Sequence, residues 1–130
     1  MKKTSQNNIR PFDIFYKEYK GEYDATNGKH YYVCIYTQSL DGHNRLISDV
    51  YGIMVTSNMK YENLPNDYNV KIEINGRPCF ALCDKLFRLK IEDTMEVKEQ
   101  KLTNYQKSEI IEKFNKFNNE VKRQMGEHLL

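Results

Sequence analysis

The polar triplet Thr56-Ser57-Asn58 is where side chains capable of chemistry follow directly on a strongly structured run. Two hydroxyls and an amide at the mouth of a buried strand can hold an anion or a substrate by hydrogen bonds. The same residue types also close strands by bonding to their own backbone, which is locally the commoner use. His30 offers an imidazole that titrates near neutral pH and can give or take a proton. At the start of a strand it can equally be an exposed histidine with no such task. His43 falls in a turn signal and His128 in a terminal segment, so both are poor candidates. Cys79 and Cys83 stand in a C-x3-C spacing with no second ligand pair nearby. Zinc needs more donors than that. No metal and no cofactor is expected, and Cys34, Cys79 and Cys83 read as small, buried, reduced side chains.

The elements that must position these residues are mostly strands. Val50, Tyr51, Ile53, Met54 and Val55 make the stretch Asp49 to Asn58 nearly continuously apolar up to its polar end. That predicts a central strand, Tyr51 to Thr56, covered on both faces. Ahead of it, Pro11 to Tyr16 predicts a first strand opened by a turn. Lys17 to Lys29 reads as an exposed loop with short strand character near Tyr19 to Tyr23. His30 to Gln38 predicts a second strong strand, in which Tyr31 and Tyr32 point to opposite faces. Asp41-Gly42-His43-Asn44 signals a turn into Leu46–Val50. Lys60 to Asp67 is polar and contains Pro65, hence a loop. Tyr68, Val70, Ile72 and Ile74 then alternate with polar residues, the pattern of a half-exposed strand. Asn75-Gly76 signals a type I′ hairpin into Cys79 to Leu89.

Beyond Leu102 the period changes. Ile110, Phe114, Phe117 and Val121 are spaced four, three and four apart, and Ile111 and Met125 widen the stripe. That is one face of a helix. Thr103 and Gln106 fit a capping box, which sets the helix at about 104–125. Lys107, Glu112, Lys116, Asn119 and Lys122 form its solvated side.

A chain of 130 residues predicts a single domain. We read residues 1–9 as a disordered tail and 10–126 as the domain. The fold class is mainly β with C-terminal α: a small antiparallel barrel of about five to seven strands, plus the helix. A formal net charge of +2 permits a nucleic-acid partner without requiring one. No apolar run follows Met1-Lys2-Lys3 and no segment reaches membrane-spanning length, so the expectation is a cytoplasmic protein with no membrane contact. The sequence has no Gly-rich phosphate loop and no nucleophile elbow, which argues against small-molecule enzymology.

Taken in order, several stretches resemble the PemK/MazF-like toxins. They are Asp13-Ile14, Gly28-Lys29-His30-Tyr31-Tyr32-Val33, Gly52-Ile53-Met54-Val55-Thr56-Ser57 and Ala81-Leu82-Cys83-Asp84-Lys85-Leu86, followed by a terminal helix. The likeness spans roughly residues 10 to 124 and is carried by order and spacing, not by a single motif. The family's G-x-R-P is matched by Gly28-Lys29-His30-Tyr31, with His30 at the arginine and Tyr31 at the proline. Its strand ending in Thr-Ser is matched by Thr56-Ser57. Its D-Q-I-R is matched by Asp84-Lys85-Leu86-Phe87, with Arg88 displaced by one place.

The resemblance implies an SH3-like barrel, a homodimer, and a ribosome-independent endoribonuclease toxin neutralised by an antitoxin protein. The implied reaction is metal-independent cleavage of single-stranded RNA to 2′,3′-cyclic phosphate and 5′-OH products. It implies His30, Thr56 and Ser57 as the catalytic set. His30 would act as acid or base, and the two hydroxyls would hydrogen-bond the scissile phosphate. Lys29, Tyr31, Asp84, Lys85 and Arg88 are the implied substrate-binding residues. Lys29 or Arg88 would supply the charge of the family arginine. Whichever of Tyr31 and Tyr32 faces the groove would stack on an unpaired base. Because His30-Tyr31 stands in place of Arg-Pro, a catalytically inactive barrel acting as an RNA- or protein-binding module is the alternative. A structural dimer that binds only a protein partner is a third reading.

Overall fold

The apolar run around Ile53 forms the middle of a sheet and is buried on both sides. The computed structural model describes residues 2–3, 9–19, 28–39, 47–63, 67–90 and 96–129. Its strands are β1 (Lys2–Lys3), β2 (Ile14–Tyr19), β3 (Gly28–Ser39), β4 (Ile47–Thr56), β5 (Asn69–Ile74), β6 (Arg77–Lys90) and β7 (Glu96–Val97), and the helix is α1 (Asn104–Leu129). The molecule is thus mainly β with one C-terminal helix. The strands form a single seven-stranded sheet in the order β1-β7-β2-β3-β4-β6-β5. Every neighbouring pair is antiparallel. Among the described residues no pairing joins β1 to β5, so the sheet has two edges.

Alternation along the central strands feeds two separate cores. Ile14, Val33, Ile53 and Val55 face one side, where Val70, Ile72, Ala81 and Cys83 join them under Ile110 of the helix. Phe15, Tyr32, Cys34 and Val50 face the other side with Ile9 and Leu89. Gly52 lies on this second side. A Cβ there would stand 3.0 Å from Phe15 Cζ and 3.2 Å from Tyr32 Cβ. The Phe15 and Tyr32 rings stack at 5.4 Å, so the missing side chain is what lets them close over β4.

Local signals form the elements they predict. Asn75 and Gly76 take φ angles of 56° and 75°, the geometry of a type I′ turn. Ile74 and Arg77 pair directly across it. The Thr103 backbone N–H donates to Gln106 Oε1 at 2.9 Å, and the Gln106 N–H donates to Thr103 Oγ1 at 3.1 Å. That is a complete capping box. All three cysteines are free and buried. No helix among the described residues is long and apolar enough to cross a membrane.

Other expectations need correction. β2 runs on to Tyr19, and Lys17 is buried rather than part of an exposed loop. The cause is pairing: β3 starts as early as Gly28 and places His30 directly across from Lys17. Leu46–Val50 and Tyr51 to Thr56 are not separate strands, since β4 is continuous from Ile47 to Thr56. The turn signal at 41–44 lies outside the described residues. Ile9, which composition alone places in the tail, packs in the second core. The helix continues to Leu129, but Ile111, Val121 and Met125 are exposed. Its contacts with the sheet are to β5 and β6, so Val121 and Met125 in the later turns go uncovered, and Ile111 is turned outward beside buried Ile110.

Candidate functional site

β3 and β4 run antiparallel with Tyr31 opposite Val55. The same register, carried one step further, sets His30 across from Thr56. Residues directly opposite share a face, so His30 and Thr56 lie on the Tyr32 side and Tyr31 and Val55 on the other. The rings agree: His30 meets Tyr32 edge-on at 6.4 Å, while Tyr31 packs on Tyr16 at 4.9 Å.

β4 then ends in turn chemistry. Thr56 Oγ1 accepts from the Asn58 N–H at 3.2 Å, and Asn58 Oδ1 accepts from the Lys60 N–H at 3.0 Å. Asn58 thereby caps a short 3₁₀ turn, Met59–Glu62. The Thr56 hydroxyl accepts in this bond, so its own proton is still there to donate. Ser57 is exposed beside it.

The β5–β6 hairpin reaches this strand end because Thr56 also pairs with Phe80 of β6. Its tip supplies the second wall of a cavity of about 490 Å³, lined by His30, Tyr31, Val55, Thr56, Ser57, Ile74, Asn75, Arg77 and Cys79. Four residues singled out from sequence, His30, Tyr31, Thr56 and Ser57, therefore meet in one place. Arg77 and Asn75 were not among the expected site residues.

The cavity's charge is positive. Among the described residues that line it there is no carboxylate. Arg77 is exposed at its edge. Behind the wall, buried Lys98 donates from Nζ to Asn75 Oδ1 at 2.5 Å and lies 5.5 Å above the Tyr31 ring. The Lys98 backbone N–H bonds to the Ile14 carbonyl, which anchors it to β2. Burial pushes the Cys79 thiol up from its ordinary range, and the nearby Arg77 charge partly opposes that shift.

The remaining expected site residues lie elsewhere. Asp84 and Lys85 line a second cavity of about 320 Å³ with Tyr61, Asp67, Tyr68, Asn69 and Leu82. Arg88 pairs across from Tyr51, about 17 Å along β4 from Thr56 by strand rise. There its Nη2 lies 3.3 Å from Asp49 Oδ2 and its guanidinium sits 6.0 Å above the Tyr51 ring. The hydrogen bond to the Asp49 carboxylate, and then its charge, raise the Arg88 pKa further. Lys29 stands in β3 next to His30, across from Glu18, and its side chain is outside the described residues.

The residues around the first cavity therefore offer an imidazole, two hydroxyls and a guanidinium, with an ammonium held behind its wall. That is a donor set for an oxyanion with a proton to move. No protein-family model matches the chain, and no curated protein matches it in sequence.

Proposed function

We propose that the protein is a metal-independent endoribonuclease of the PemK/MazF-like kind, acting on single-stranded RNA at the cavity between the β3–β4 end and the β5–β6 hairpin. One observation carries this reading. His30, Thr56 and Ser57, drawn from separate stretches by the resemblance, line the same positively charged cavity. The antiparallel sheet capped by a C-terminal helix suits the SH3-like barrel of that family. β6 supports the curvature such a barrel needs. Ile53 pairs with Leu86 while Val55 pairs with Ala81, so several β6 residues bulge opposite Met54.

In this reading the RNA 2′-oxygen attacks the adjacent phosphorus and the 5′-oxygen leaves. The products are a 2′,3′-cyclic phosphate and a 5′-hydroxyl. His30 takes the 2′-hydroxyl proton or returns one to the leaving oxygen. Thr56 and Ser57 donate hydrogen bonds to the non-bridging oxygens. Positive charge around the cavity stabilises the phosphorane. Tyr31, held between Tyr16 and the Lys98 ammonium, forms a fixed wall for a base. An antitoxin protein, a second copy of the chain and a cytoplasmic setting are the context the reading implies.

The test is a long fluorescent single-stranded RNA incubated with the protein in the presence of chelator, beside Thr56→Ala and His30→Ala. Discrete fragments from the parent, lost in both variants, are expected. Cleavage of an all-DNA analogue, or loss of cleavage on chelation, would sink the mechanism. The alternative, an inactive RNA- or protein-binding module, rests on His30-Tyr31 standing where the family has Arg-Pro. It predicts RNA that is bound and stays intact.

A further inference from the structure

We infer that Arg77 and Lys98 are the cations that hold the scissile phosphate, so that the β5–β6 hairpin and the strand end at β7 supply the site's positive charge; this rests on the endoribonuclease reading above.

Lys98 is the first observation. A buried ammonium is costly unless a negative group faces it. Among the described residues the Lys98 ammonium makes no ion pair; its hydrogen bond is to the Asn75 amide oxygen and its ring contact is to Tyr31. Both of those residues line the cavity. An anion bound there completes the charge balance that the fold leaves open.

Arg77 is the second, independent observation. It is placed by a rigid turn: Asn75 and Gly76 fix the hairpin, and the pairing of Ile74 with Arg77 sets the arginine at the first position of β6. Among the described residues Arg77 makes no ion pair, in contrast to Arg88, which is engaged by Asp49. A guanidinium presents paired N–H donors that match two oxygens of a phosphodiester, whereas an ammonium acts as a point charge. Arg77 thus suits the non-bridging oxygens directly, and Lys98 supports them from behind Asn75 and Tyr31. The ligand class is the phosphodiester of single-stranded RNA.

Two probes test this. A fluorescent 2′-O-methyl oligoribonucleotide cannot be cut, because its 2′-oxygen is blocked, so binding is read alone by anisotropy across a salt series. Inorganic pyrophosphate, titrated calorimetrically, reads the anion site without RNA. Arg77→Gln is expected to lower the slope of log affinity against log salt by about 0.7, the value for one phosphate contact on a single strand. Arg77→Lys is expected to restore the slope but not the full affinity. Lys98→Met is expected to weaken both probes. Because Lys98 is buried, the exposed Arg77 variants keep the test decisive if Lys98→Met folds poorly. Lys71→Gln, at an exposed residue paired with Glu62 on β5, is the control and should keep the parental slope.

An unchanged slope and unchanged pyrophosphate affinity in Arg77→Gln overturns the inference, and RNA cleavage by that variant at the parental rate leaves the nuclease reading standing. Pyrophosphate binding that depends on Arg77 in a parent that leaves RNA intact supports the anion site and overturns the nuclease reading. A parent that binds neither probe overturns both.

Discussion

Lys98 Nζ stands 2.5 Å from Asn75 Oδ1, so a buried ammonium holds the tip of the hairpin that carries Arg77. Asn75 does two jobs at this point. It adopts φ of 56°, which most side chains resist, and it accepts a hydrogen bond from Lys98. The two are separable by substitution. Asn75→Gly keeps the turn and loses the acceptor of a buried ammonium, and is expected to cost about 1.5–3 kcal/mol. Asn75→Ala loses both and is expected to cost about 1 kcal/mol more. Urea midpoints of the two variants beside the parent measure the difference.

Gly52 is a packing position. Its nearest neighbour, Phe15, is fully buried and stacked on Tyr32, so neither ring has open space to move into. Gly52→Ala is expected to destabilise by about 1–3 kcal/mol through overpacking. The urea midpoint should fall at constant slope. A neutral result would mean that Phe15 relaxes.

The helix start depends on a reciprocal pair of bonds between Thr103 and Gln106. Thr103→Ala is expected to cost about 1 kcal/mol. Gln106→Ala removes only the return bond to the Thr103 N–H and should cost less. Helical circular dichroism during thermal melting reads both variants. Equal losses would show that the two bonds stand or fall together.

The buried thiols set an alkaline limit. Burial, with the Asp13 charge adding to it, pushes Cys34 from 9.0 up to about 12. Burial does the same for Cys83, with Lys113 partly opposing it. Above 9.0 the unfolded chain loses these protons while the folded chain keeps them, so the unfolded state binds fewer protons. Stability contributed by the thiols is therefore intact below 9.0 and falls as pH rises toward 12. Urea midpoints at mildly and strongly alkaline pH check the direction. Near neutral pH, a thiol reagent should modify Cys34 and Cys83 only at the rate of unfolding.

What the sequence disclosed follows the range of the interactions. Asn75-Gly76 and Thr103 with Gln106 are local devices, and both form as their residue types dictate. The strand at Ile53 was legible because its apolar run is long. Thr56 and Ser57 were legible as the polar end of that run, and His30 and Tyr31 through the resemblance. Arg77 was not, because its place depends on the pairing of Thr56 with Phe80, a contact between strands distant in sequence. Lys98 was hidden because β7 is only two residues long and shows no periodicity. The charge of Lys17 points to an exposed loop, whereas its place across from His30 buries it in the sheet. Asp84 and Lys85 fall in the β6 bulge between Ala81 and Leu86, away from the first cavity, and a linear motif cannot show that displacement.

The helix tether on β5 has a consequence for how copies of the protein behave toward one another. β5 is an outermost strand of the sheet, with apolar residues alternating along it. Such a strand offers unpaired backbone groups to any passing chain. Here Lys113 of α1 donates to the Asn69 carbonyl at 2.5 Å, and the Gln100 side-chain amide takes the Glu73 carbonyl. Lys71 adds an exposed charge between them. The C-terminal segment thus acts as a guard rail as well as a lid on the core. A chain lacking it would present β5 as a template for edge-to-edge stacking, and would be driven toward aggregation through the same hairpin that carries Arg77.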